Sequence, residues 1–228
     1  RDNGIGVSGA GVLGGTDPEL ANRIEGNTTG VRDFTGTVRF NRLSANGTAI
    51  VATDDLQVFH NVVFRNAEGV RVSGVADVRI VHNTFYAETG DNVRIVDGAR
   101  DVQLLNNILW AVEGYDIHVA NDSQTGFFSD DNNLYRTGSG RLVYWTKDFV
   151  DVLDWQADVA RYDLHSTGHT VIDPREARPA FRNLARDDFR VFDITASLRF
   201  TSPTVDLGDS ALDLAVPDSR VNLLSNPG

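Results

Sequence analysis

The sequence contains no cysteine and no methionine, and Lys147 is its only lysine. Without cysteine there is no disulfide framework, no thiolate metal site and no cysteine nucleophile. The compartment stays open, because secreted bacterial chains also do without cysteine. Without methionine there is no initiator, and the expectation is a module excised or processed from a longer chain. No apolar run approaches the roughly 20 residues of a membrane-spanning helix. Glutamate is scarce too: of 32 carboxylates, 26 are Asp and 6 are Glu. Asp prefers caps and turns to helix interiors, which disfavours a helical chain. The 21 basic residues leave a net charge of −11, which argues against a generic nucleic-acid binder.

What is present is a degenerate repeat in 228 residues, a length that suits one domain with at most a small annex. Asn22-Arg-Ile, Asn41-Arg-Leu, Asn61-Val-Val, Asn83-Thr-Phe, Asn107-Ile-Leu and Asn133-Leu-Tyr recur at spacings of 19, 20, 22, 24 and 26 residues. A short apolar run precedes each Asn from the second to the fifth (Thr37-Val-Arg-Phe, Leu56-Gln-Val-Phe, Val78-Arg-Ile-Val, Val102-Gln-Leu-Leu). Another follows after a polar turn, as in Gly69-Val-Arg-Val and Asn92-Val-Arg-Ile-Val. Short runs rich in Val and Ile, punctuated by Gly, Asn and Asp, read as strands. Neither a leucine-rich frame nor hairpin-linked alternation is present. The pattern predicts an all-β, right-handed parallel β-helix, a solenoid whose coils stack about 4.8 Å apart.

The Asn column has a physical reason. Asn adopts left-handed or Asx-turn corners, and stacked amides hydrogen-bond along a column. Asn22, Asn41, Asn61, Asn83, Asn107 and Asn133 are therefore expected as a structural ladder. Residues 1–136 read as coils, 137–215 as the cap and closing segment of the same domain, and 216–228 as a linker to a following module. A helix is expected between Phe149 and Tyr162, capping the open coil end.

The second half carries an ordered set of elements: Asp131-Asn-Asn-Leu-Tyr135, Val143-Tyr-Trp145, Leu153-Asp-Trp-Gln-Ala157, Asp163-Leu-His-Ser166, Asp173-Pro174, Pro179-Ala-Phe181, Asp188-Phe-Arg-Val191 and Ser202-Pro-Thr-Val-Asp-Leu-Gly-Asp209. This order resembles the C-terminal coils and closing motif of secreted bacterial right-handed parallel β-helix proteins, the pectate-lyase-like superfamily. It departs at Asp173-Pro-Arg-Glu176, where an apolar pair is usual. Asn222-Leu-Leu-Ser-Asn-Pro-Gly228 resembles the onset of a following β-sandwich. The resemblance implies an extracellular or cell-surface location, flanking domains and a polysaccharide context. It implies no particular activity. The Asn-Thr-Asp and Gly-His-Gly motifs of hydrolases on this fold are absent.

Alternation places Arg71, Arg94 and His118 outward on successive coils. As a basic stripe it would suit an acidic glycan such as a uronate polymer, since Arg binds carboxylates bidentately. The alternative is a solvated stripe balanced by neighbouring Asp. Trp110, in column with Phe64 and Tyr86, is either a sugar-stacking ring or packing. Asp55, Asp77 and Asp101 form a column that either closes turns or binds Ca²⁺. Asp130-Asp131 and Asp187-Asp188 are weaker candidates. His60 and His82 stack just before the ladder, and His165 belongs to the closing elements. The expected function is a structural or glycan-facing module without a demonstrable catalytic motif. The competing expectation is a polysaccharide lyase or glycoside hydrolase working along the Arg/His stripe.

Overall fold

The computed structural model describes residues 2–17 and 21–191, and these form a parallel β-solenoid of about six turns. Each coil lays one short strand on each of three faces. The first face stacks the N-terminal part of Thr29–Arg39, then Thr48–Val51, Glu68–Ser73, Val93–Val96, Tyr115–Val119 and Arg141–Trp145, all parallel. Lys147–Phe149 turns back antiparallel onto the last of these. The second face stacks the C-terminal part of Thr29–Arg39, then Gln57–Phe59, Arg79–Val81, Gln103–Leu105 and Phe128–Asp130. The third runs from Asn22–Glu25 through Asn41–Ser44, Val62–Phe64, Thr84–Ala87, Ile108–Ala111 and Asn133–Arg136 to Thr167–Gly168. Ile5–Leu13 pairs along the outer edge of Thr29–Arg39.

The core follows from this stacking. Val31, Ile50, Val70, Val93, Ile117 and Val143 form one inward column of fully buried aliphatic side chains. Val38, Val58, Ile80 and Leu104 form a second, and Leu43, Val63, Phe85, Leu109 and Leu134 a third. Burying each such side chain contributes roughly 1.5–3 kcal/mol before entropy is set against it. The drifting period does not disturb the register. Extra residues enter the first-to-second corner, which lengthens from Val51–Gln57 to Arg71–Arg79 and Arg94–Gln103.

The second-to-third corner is one left-handed residue followed by one Asn. Phe40, His60, His82, Asn106 and Asp131 have φ of 50°, 53°, 57°, 55° and 55°. The Asn41 side chain donates to Asn61 Oδ1 at 3.1 Å, Asn61 to Asn83 at 3.0 Å, Asn83 to Asn107 at 3.1 Å and Asn107 to Asn132 at 3.0 Å. Asn22 donates to Asn41 at 2.9 Å. Each accepting oxygen from Asn61 onward also takes the backbone N–H of the preceding rung. The last rung is therefore Asn132, not the expected Asn133. Ile108 pairs with Asn133, so the residue before it, Asn107, faces Asn132. Asn133 instead donates to Thr167 Oγ1 and to the Ala177 carbonyl. A shorter second ladder of Asn27, Asn46 and Asn66 lines the third-to-first corner.

Beyond Asn132 the ladder passes to Asp163, which is fully buried. Its Oδ1 accepts from Asn132, Ser129 and Ser166, and its Oδ2 from the Trp155 indole. Trp155 sits on the helix Val152–Val159, started by the Asp151 side chain at Leu153 N and ended by left-handed Ala160. The helix is shorter than the predicted span. It closes the core with Trp155 against Phe149 and Tyr162. Parallel stacking continues through Arg141–Trp145 and Thr167–Gly168. The Ser202–Asp209 motif and the Asn222–Gly228 segment lie outside the described residues. Among the described residues no helix is long and apolar enough to cross a membrane.

Candidate functional site

The outer surface of the first face carries two columns of side chains. One holds Arg71, Arg94, His118 and Tyr144 in direct register on successive coils. The other lies three residues earlier on each coil: Glu68, Asp91 (just ahead of its strand), Tyr115 and Arg141. Between the columns each strand turns two consecutive residues inward: Gly69 and Val70, Asn92 and Val93, Asp116 and Ile117, Leu142 and Val143. Strict alternation would have sent only one inward. This local bend is why the second column was missed. The signal for it was present as Glu-x-x-Arg and Asp-x-x-Arg on adjacent coils.

The two columns pair across. Arg71 Nε lies 2.8 Å from Glu68 Oε2, and Arg94 Nη1 lies 2.7 Å from Asp91 Oδ2. Arg94 Nε also lies 3.9 Å from Glu68 Oε1. Two coils further, Arg141 Nε is 2.8 Å from Asp148 Oδ2, and the Tyr115 hydroxyl on the intervening coil donates to Asp148 Oδ1 at 2.7 Å. The carboxylates of Glu68 and Asp91 are recessed, with side chains 12% and 9% exposed, against 37% and 34% for Arg71 and Arg94. Asp91 is held further by the Tyr115 N–H, and Glu68 by the Thr48 hydroxyl. The expected basic stripe is thus compensated residue by residue. Stacked like charges near 5 Å apart are unfavourable without such partners.

The lower end of the patch is aromatic. The His118 and Tyr144 rings stack at 4.7 Å with 8° between planes, and Tyr115 meets both edge-on. Burial, and next the Arg94 charge, lower the His118 pKa, so the imidazole is neutral at pH 7. Burial and the bond to Asp148 push the Tyr115 hydroxyl up to about 12. It is a donor at neutral pH, not a base.

The other expected residues fall elsewhere. Trp110 is buried and takes part in packing. It belongs to an outward aromatic stripe on the third face with Phe64, Tyr86 and Tyr135, covered by the hairpin of Phe181–Asn183 and Asp188–Val191. Phe181 stacks on Trp110 at 6.0 Å, and the indole donates to Thr137. Arg42 and Arg65 tie Asp187 of the hairpin back to the coils. Asp55, Asp77 and Asp101 are left-handed corner residues with φ of 60°, 60° and 56°. Their carboxylates are not gathered into a ligand set. Among the described residues the one group that is gathered is Asp130, Asp131 and His165. There His165 Nδ1 lies 2.7 Å from Asp130 Oδ2, while Asp130 Oδ1 accepts the His165 N–H. The bond to Asp130 raises the His165 pKa. His60 and His82 stack at 4.8 Å with 6° between rings, with Phe40 on the other side of His60. No family model matches this chain, nor does any curated protein or solved structure.

Proposed function

We propose that this chain is a glycan-facing β-solenoid module of a secreted or cell-surface bacterial protein, and that the outer first face is its binding surface. The carrying observation is the double column Arg71/Glu68, Arg94/Asp91, His118/Tyr115 and Tyr144/Arg141. It spans four consecutive coils with donors, acceptors and rings held in fixed positions. Extended polymers suit an extended surface on which one set of groups repeats at each coil. The resemblance of the C-terminal elements to pectate-lyase-like proteins supports secretion and a polysaccharide context.

The role is binding rather than catalysis. In the patch the carboxylates of Glu68, Asp91 and Asp148 are each engaged by an Arg, and the His118 ring is stacked on Tyr144, an arrangement of paired donors, acceptors and rings suited to holding a ligand. One observation favours the enzymatic alternative, a lyase or hydrolase of acidic glycans: Arg94 reaches two carboxylates at once.

Affinity electrophoresis through gels containing a panel of polysaccharides tests the binding reading. Retardation should appear with at least one polymer and fall about tenfold or more in Arg94→Ala, the effect of losing a charge-assisted hydrogen bond. Absence of retardation across the panel refutes the reading. Release of reducing ends or of unsaturated uronates by the wild type would replace it with the enzymatic one.

A further inference from the structure

We infer that the first-face patch recognises an uncharged glycan, reading pairs of sugar hydroxyls, and does not recognise a uronate polymer. This rests on the glycan-facing reading above and names its substrate class.

The inference follows from the charge count of the patch. Arg71, Arg94 and Arg141 are its cations; Glu68, Asp91 and Asp148 are its anions, each within 2.8 Å of its Arg. His118 adds no charge at neutral pH, because burial and Arg94 lower its pKa. The patch sums to zero on a chain whose net charge is −11. A uronate carboxylate approaching Arg71 or Arg94 would have to displace Glu68 or Asp91. Both are recessed and held by second bonds, Glu68 from the Thr48 hydroxyl and Asp91 from the Tyr115 N–H. The displaced carboxylate would stay beside the incoming one, and like charges at that range repel. No net neutralisation is available to draw a polyanion in.

The same forks suit hydroxyls. Arg71 turns Nε to Glu68, and Arg94 turns Nη1 to Asp91. Other guanidinium N–H groups on these partly exposed side chains remain for a ligand; Glu68 Oε2 is filled by Arg71 and Thr48, but Glu68 Oε1 and both Asp91 oxygens, which take one donor each, keep a lone pair. A vicinal diol donates from one hydroxyl to the carboxylate and accepts at the other from the guanidinium, leaving the ion pair intact. The unit repeats at Arg71/Glu68 and Arg94/Asp91 one coil apart, about 4.8 Å along the solenoid. The Tyr115–His118–Tyr144 ring cluster follows in the same direction, with its three rings packed on one another and Arg141 over Tyr115.

Retardation is compared on uncharged polymers (β-glucan, mannan, xylan) and on uronate polymers (polygalacturonate, alginate), at about 0.1 M and about 1 M NaCl, between which the Debye length falls from about 10 Å to about 3 Å. The wild type should bind at least one uncharged polymer, with affinity changing less than about twofold with salt. It should not bind the uronates. The double variant Glu68→Gln/Asp91→Asn keeps the acceptors for Thr48 and Tyr115 but leaves Arg71 and Arg94 uncompensated. It should gain uronate binding at low salt and lose it at high salt. Its fold is checked by thermal unfolding, with Glu68→Gln alone read if the double variant does not fold. Salt-sensitive uronate binding by the wild type overturns the inference while leaving the glycan-facing reading intact. No binding to any polymer overturns both.

Discussion

The stacked imidazoles give the fold a measurable acid sensitivity. His60 is buried at a left-handed corner, between Phe40 at 5.0 Å and His82 at 4.8 Å. Burial, then the charges of His82 and Arg39, holds its pKa down at about 3 from the ordinary 6.5. All three causes disfavour the protonated form. Because the unfolded chain takes up the proton first, the stabilisation is intact above pH 6.5. It is lost as pH falls through the window from 6.5 towards 3. At pH 5 the unfolded state gains about 2 kcal/mol from protonating this residue, against about 0.2 kcal/mol at pH 7, at 1.4 kcal/mol per unit. The perturbation is His60→Phe. Phe40 already occupies the equivalent corner one coil earlier with φ of 50°, so the ring and backbone are compatible. Urea unfolding followed by circular dichroism at pH 7 and pH 5 gives the two stability differences. Groups distant from His60 titrate equally in both proteins and cancel, and carrying His82→Phe in both proteins removes the one titratable ring stacked on it. The protein that keeps His60 should lose about 2 kcal/mol more than the variant over that interval. Equal losses within about 0.5 kcal/mol would refute the reasoning, because the desolvated imidazole would then not be the group that takes up the proton.

Asp116 behaves in the opposite sense. It is fully buried, its carboxyl is raised well above the ordinary value by burial, and its Oδ2 has no hydrogen-bond partner. A raised carboxyl makes the folded state most favoured at low pH, with stability lost as pH rises through the folded pKa. The advantage of Asp116→Asn over wild type in urea unfolding should therefore grow from pH 4 to pH 8; a constant offset would contradict this. Asn83→Ala removes a rung that accepts from Asn61 and donates to Val58, Val81 and Asn107. It should cost about 3 kcal/mol or more, since each buried group left unpaired costs about 1–3 kcal/mol; a loss below 1 kcal/mol would show that the ladder is dispensable. Trp155→Phe keeps most of the ring but deprives Asp163 Oδ2 of the indole N–H. Thermal unfolding should show a loss of about 1–3 kcal/mol, smaller at acid pH where Asp163 protonates.

The sequence by itself determined the parallel β-solenoid and the ladder from Asn22 to Asn107. The reason is that a coil contacts only its neighbours, so the constraints on an interior corner repeat at nearly one-coil spacing along the chain. A buried polar residue at each corner and an apolar run beside it are visible without coordinates. The inward columns were legible for the same reason. Tertiary structure alone decided three things. The ladder ends on Asn132 because coil register, set by Ile108 against Asn133, overrides the similarity of two adjacent asparagines. The Arg stripe is neutral because each first-face strand bends and turns two residues inward, bringing Glu68 and Asp91 beside Arg71 and Arg94. Trp110 is buried because a hairpin more than 70 residues later in the chain folds back over the third face, pinned by contacts such as Arg42 to the Asp187 carbonyl across 145 positions. Contacts at that separation leave no periodic trace, because they are made once, with a hairpin that lies outside the repeat.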